Sequence, residues 1–245
     1  MYNIFWKNEV FLMLLFSQLF TIACSVLLPL GCAIYLCIHE EGKWKLLLVG
    51  ALTYVLFQMA LFLPTLFLFT NSDAAQNWIA ANYPLYIVFL SVFTPIFSEL
   101  FRWLMIHVFS RNDTTLMDAF AFGIGYGGLE TSLTIGMNVF LGMLIGAGKN
   151  IPNMSNLLLA EGVGQVCQLV LQVGYTLLIM QMIKTKNKTF LFIAIGIQIL
   201  ITLVSSLGQN IFHWNIWILL CIMVIFSLLA AMYIAQVYKN EKTTK

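Results

Sequence analysis

Charge is what this sequence has least of. Only 9% of its 245 residues are Asp, Glu, Lys or Arg, against roughly 25% in a soluble domain, so a solvated globular surface is excluded. The net charge is only +2, and the lysines fall in short connections rather than along a stripe, so no nucleic-acid partner is implied. Histidine is scarce too, with only His39, His107 and His213. None of the cysteines (Cys24, Cys32, Cys37, Cys167 and Cys221) forms a CxxC pair, and all five fall in apolar stretches. They read as small apolar residues, not as a disulfide framework or a thiolate metal site. Internal repeats, low-complexity segments and long polar loops are missing as well. The longest connection reads as residues 71–81, and a single domain over residues 1–245 is expected.

What is present is apolar. Hydrophobic residues make up 61% of the chain, and the mean hydropathy is +0.91. About 20 helical residues cross a hydrocarbon core of roughly 30 Å. Seven stretches qualify: 10–38, 45–70, 82–109, 116–146, 155–183, 189–207 and 215–237. The expected fold is an all-α, polytopic helical bundle embedded in a lipid bilayer. Phe20-Thr21-Ile22-Ala23-Cys24 faintly resembles a lipoprotein cleavage box. The apolar run continues to Ile38, too long for a signal-peptide core, so a retained first helix is expected.

Basic residues orient the bundle. Lys43, Lys45, Arg111, Lys184, Lys186, Lys188, Lys239, Lys242 and Lys245 fall on one side, and Lys7 and Lys149 on the other. The positive-inside rule then puts the N-terminus outside and the C-terminus in the cytoplasm, which requires an odd number of spans. Trp6, Trp78, Trp214 and Trp217 at the expected outer ends and Trp44 at an inner one agree with this orientation, and Trp103 is the exception.

Against this background a few ionisable residues stand out. Glu99, Glu130 and Glu161 lie inside apolar runs, Asp118 lies at the edge of one, and Arg102 is the single cation among them. Each charge at a helix centre costs about 2.5 to 3.5 kcal/mol on insertion scales, which makes these residues a functional-site hypothesis. At the helical rise, Glu99 lies about 15 Å, Glu130 about 21 Å, Gln168 about 22 Å and Gln198 about 13 Å from the cytoplasmic ends of their helices. Four helices thus place a polar group in one middle zone, with Glu161 nearer the outer face.

Three local patterns sharpen the reading. Glu99 and Arg102 are three apart and share a helix face, one turn after Pro95, which removes a backbone donor and bends the helix. Glu161, Gln165, Gln168 and Gln172 are spaced by 4, 3 and 4, which sets them on one stripe. That stripe must face protein or water; glutamines used only as interhelical glue, about 0.6 kcal/mol each, are the plain alternative. Gly123-Ile124-Gly125-Tyr126-Gly127-Gly128-Leu129-Glu130 lets a neighbouring helix approach closely. No strand precedes it, so nucleotide-loop readings fail. Three carboxylates against one guanidinium also leave the interior short of positive charge.

These residues resemble the YhfC family of intramembrane metalloproteases, distantly similar to the CAAX-processing and bacteriocin-associated membrane proteases. The likeness rests on Glu99-x-x-Arg102, the glycine-rich run ending in Glu130, and a Glu161 that opens a later helix. Leu28-Pro29-Leu30 and Leu48-Val49-Gly50-Ala51-Leu52 add to it. The resemblance covers nearly the whole chain and implies peptide hydrolysis by a membrane glutamate that activates water, sometimes on zinc, in the cytoplasmic membrane of a bacterium. It also implies histidines where this sequence has Tyr126, Gln165 or Gln168, and Gln198. By topology His39 and His107 belong near one face and His213 near the other, so a three-histidine site is not expected.

A metal-free version assigns Glu99 to activating water, Arg102 to orienting it, and Gln168 or Gln198 to holding the oxyanion. The expected site therefore has Glu99, Arg102 and Glu130 as catalytic groups. Tyr126, Gly127, Glu161, Gln165, Gln168 and Gln198 are expected around a peptide or lipid-modified peptide. Two other classes stay open: a non-catalytic peptide- or lipid-binding descendant of immunity or sensor type, and a small transporter or proton relay.

Overall fold

The structure, a computed structural model, describes residues 2–110, 114–147, 151 and 153–243, with side chains from residue 11 onward. Arg111, Lys149 and Lys245, together with the side chains of Trp6 and Lys7, lie outside the described residues. The described residues form eight helices and no strand. They are α1 (2–39), α2 (Lys43–Thr70), α3 (Asp73–Ala81), α4 (Tyr83–Phe109), α5 (116–144), α6 (Met154–Thr185), α7 (Thr189–Asn210) and α8 (Ile216–Thr243).

Six of these, α1, α2, α4, α6, α7 and α8, are long and apolar enough to cross a membrane. The seventh expected span, α5, is also one unbroken helical run, about 43 Å long at the α-helical rise. Its glycines, threonines and Glu130 make it less apolar, and it is sheltered by protein instead. Twelve of the sixteen residues of Leu116–Thr131 are buried. Its partner in the centre is α6, buried over 72% of its most apolar stretch, against 11% for α7 and α8. The peripheral helices turn Phe67, Leu68, Phe192, Ile225 and Met232 outward, as a lipid-facing surface requires.

Proline and glycine explain how the helices run and meet. Pro29 and Pro64 each follow a π-helical turn, Ala23–Leu27 in α1 and Val55–Phe62 in α2. The wider turn accommodates the missing N–H and the ring. Packing of α5 is backbone to backbone. A Cβ on Gly125 would lie 2.0 Å from the Leu47 carbonyl oxygen of α2, and one on Gly50 would lie 2.1 Å from that of Phe122. On the other side a Cβ on Gly123 would meet the Val173 Cα of α6 at 2.7 Å. The glycine run therefore lets α5 fit between α2 and α6.

Two readings of the sequence change here. Residues 71–81, read as a loop, contain α3, whose first turn is capped by the Ser72 hydroxyl accepting from Ala75 N. Asp118, though buried, belongs to a capping box at a helix start: its side chain accepts from Thr115 N at 2.8 Å, while Thr115 Oγ1 accepts from Asp118 N. Lys43 Nζ lies 2.6 Å from Asp118 Oδ1, and Leu116 N donates to Glu241 Oε1 of α8 at 3.2 Å. Asp118→Ala should therefore lower stability by about 1 to 2 kcal/mol through the lost cap, read as an earlier thermal transition in detergent.

Candidate functional site

The polar centre is built on three helices. From α4, Glu99 and Arg102 are both fully buried, with Arg102 Nη2 3.3 Å from Glu99 Oε1. The guanidinium then reaches α6. Nη1 donates to the Gln172 carbonyl oxygen at 2.9 Å and to Thr176 Oγ1 at 3.0 Å, and Nη2 donates to Gln172 Oε1. Its plane is covered by the Tyr126 ring of α5, 4.4 Å from Cζ, a cation–π contact made strong by the burial of both side chains. Tyr126 in turn shares a hydrogen bond with Ser98 Oγ at 3.0 Å.

Gln172 carries the network onward. Its Nε2 donates to Glu130 Oε2 of α5 at 2.6 Å, and Gln168 Nε2 donates to the same oxygen at 3.4 Å. Glu99, Arg102, Gln172 and Glu130 thus form one chain of contacts across α4, α6 and α5.

The two carboxylates at the ends of this chain sit in opposite environments. Both oxygens of Glu99 are sealed from solvent and accept no hydrogen bond within the described residues, leaving only the ion pair with Arg102. Glu130 is half-buried and lines a cavity of about 310 Å³ between α5, α6, α7 and α8. The polar part of its lining is Glu130, Thr134, Glu161, Gln165, Gln168, Ser205 and Gln209. The apolar part of its lining includes Ile216, Leu219, Leu220 and Met223 of α8. Glu161 accepts a long hydrogen bond, 3.5 Å, from Gln165 Nε2.

The residues singled out from the sequence therefore divide into groups. Glu130, Glu161, Gln165 and Gln168 meet at the cavity, while Glu99 and Arg102 are joined to it only through Gln172. Tyr126 lies beneath the guanidinium, away from the cavity wall. Gly127 faces Gln172, where an added Cβ would sit 2.8 Å from the Gln172 Cβ. Gln198 on α7 is not part of the cavity wall, and its buried Oε1 has no hydrogen-bond partner in the described residues. Gln172 itself was visible as the last member of the helical stripe. Ser205 and Gln209, four apart on α7, carried the same kind of signal and were missed.

The donor chemistry does not fit a zinc centre. Within the described residues no three of His, Cys, Asp or Glu gather where one ion is within reach. His39 stacks on Tyr35 with ring centroids 4.3 Å apart. His107 lies against Trp103 at 5.7 Å, and His213 sits between α7 and α8. The cavity offers two carboxylates and several amides, and amides are poor substitutes for the imidazole and thiolate ligands that zinc prefers.

Comparison with known proteins bears on the whole arrangement. No solved structure matches the chain. The uncharacterized membrane protein YhfC of Bacillus subtilis (strain 168) is 25% identical over 215 residues, covering 77% of this chain and 82% of that protein. A family model described as YhfC intramembrane metalloprotease matches residues 24–161, a segment that takes in Glu99, Arg102, the glycine run, Glu130 and Glu161. Matched over more than half of its length and carrying those residues at its centre, the chain is a membrane protein that belongs to the YhfC intramembrane metalloprotease family.

Proposed function

We propose that this protein hydrolyses peptide bonds within the membrane and that Glu130, rather than Glu99, is the carboxylate that activates water. The observation carrying this reading is that Glu130 faces the cavity with one oxygen, Oε2, anchored by Gln172 and Gln168. That leaves Oε1 for a water molecule, whereas Glu99 has no route to one. Oε1 takes a proton from water, whose oxygen attacks the scissile carbonyl carbon. Amide N–H groups of Gln165 or Gln168 donate to the developing oxyanion. Collapse of the adduct breaks the C–N bond, and the proton held by Glu130 passes to the leaving amine.

Two carboxylates and several apolar side chains in one lining suit a segment carrying a lysine or arginine beside apolar residues. In this reading α5 joins the six apolar helices as a seventh span of a single helical domain, with the N-terminus outside and the C-terminus cytoplasmic. The test is hydrolysis of a peptide library by the purified protein in proteoliposomes. Glu130→Gln should lower the rate by about 100- to 10,000-fold, the usual contribution of a general base. An unchanged rate in Glu130→Gln, or no cleavage by the wild type with or without added metals, overturns the reading.

The donor set that does not fit zinc favours a second reading, a non-catalytic peptide binder. It requires peptide binding that survives Glu130→Gln and a wild type that cleaves nothing. Between Glu99 and Glu130 stand Arg102 and Gln172. A guanidinium is not deprotonated in proteins, so the contact chain is not a path for protons.

A further inference from the structure

We propose that Gln172 is a positioning residue: with Arg102 behind it and Gly127 beside it, it holds the Glu130 carboxylate in one orientation at the cavity wall. This rests on the reading of Glu130 as the water-activating group.

The geometry that carries it begins with the carboxamide. Both of its ends are engaged, Oε1 by Arg102 and Nε2 by Glu130. Turning the amide over would set N–H donors against a guanidinium and a carbonyl oxygen against a carboxylate, so one orientation is favoured over the other. Arg102 also binds the Gln172 backbone carbonyl, gripping main chain and side chain of the same residue and so fixing its rotamer. Gln172 is fully buried, so water cannot take over either bond.

Space is arranged to match. A Cβ at position 127 would lie 2.8 Å from Gln172 Cβ and 2.9 Å from Cγ, so glycine is required there for the side chain to lie where it does. Glu99 completes the device by serving as the ion partner of Arg102. The guanidinium is thereby held in place without drawing Glu130 into a direct ion pair, and Glu130 meets only neutral amides. The second amide on Glu130, from Gln168, is the longer contact at 3.4 Å. It leaves Gln172, at 2.6 Å, as the principal anchor.

The test uses the full chain in proteoliposomes with two readouts. The infrared difference spectrum between wild type and Glu130→Gln isolates the Glu130 carboxyl band. The same difference is taken in a Gln172→Leu background, and in a Gly127→Ala background should Gln172→Leu fail to fold. The band is expected to shift and broaden in either background. For peptide hydrolysis kcat should fall about 100-fold, the effect of a misplaced reacting group, with KM little changed. A band that moves while the wild type cleaves no peptide keeps the positioning role and removes the hydrolytic reading. A band unmoved in both backgrounds overturns the proposal, as does an unchanged kcat in an enzyme that cleaves.

Discussion

Gly125→Ala is expected to prevent the native packing of α2 on α5 and to cost more than about 4 kcal/mol, at the extreme end for a single methyl group. The reason is the identity of the atom it would meet. Overpacking against side chains usually costs about 1 to 3 kcal/mol because rotamers adjust. Here the added Cβ would lie 2.0 Å from a backbone carbonyl oxygen, that of Leu47, with Leu47 C at 2.8 Å and Cα at 3.0 Å. Only separation of two helices relieves that contact, and Gly50 repeats it from the opposite side against Phe122. The control is Gly196→Ala on α7, where nothing lies within 4 Å of the new Cβ. That change should be neutral, or stabilising by up to about 1 kcal/mol through helix propensity. Unfolding in mixed micelles followed by circular dichroism compares the two. Equal stability of Gly125→Ala and wild type would mean that α2 and α5 are not in backbone contact.

Arg102→Met is expected to destabilise the protein by about 3 to 5 kcal/mol, the cost of breaking a buried pair by removing one partner. Loss of the guanidinium leaves Glu99 sealed with no counter-charge and frees Gln172 Oε1, the Gln172 carbonyl and Thr176 from their shared donor. The double variant Glu99→Leu, Arg102→Met should recover part of the loss, since an apolar pair of similar size often replaces a buried ion pair without penalty. Equilibrium unfolding of the two single variants and the double variant gives the coupling. Additive effects would mean that Glu99 and Arg102 do not depend on one another in the folded state.

Much of this architecture is legible in the amino acids because membrane insertion makes each feature costly. Apolar length found the long helices, and the price of an intramembrane charge marked Glu99, Arg102, Glu130 and Glu161. The glycine run announced a close helix contact, and the neighbouring backbone at Gly123 and Gly125, too near to admit a Cβ, bears that out. What a linear pattern does not carry is azimuth between helices. Depth and period place Glu99 and Glu130 at similar levels, yet only the packing of α4 behind α6 decides that Glu99 is enclosed while Glu130 meets the cavity. The same limit applies to Tyr126 and Gly127, whose faces depend on where α4 and α6 dock. Helix α3 was hidden for another reason: it is short and polar enough to resemble a loop until its Ser72 cap is seen. The π turns before Pro29 and Pro64 arise from local backbone accommodation, and no side-chain period reports them.

The most direct measurement is the accessibility of single cysteines placed at positions 130 and 99, each in a background without the five native thiols. A small charged methanethiosulfonate reagent applied to both sides of native membranes should label Glu130→Cys rapidly, through the cavity, and leave Glu99→Cys unmodified until the protein is unfolded. Equal labelling at the two positions, or a reactive cysteine at 99 and a silent one at 130, would contradict the assignment of Glu130 as the carboxylate open to water.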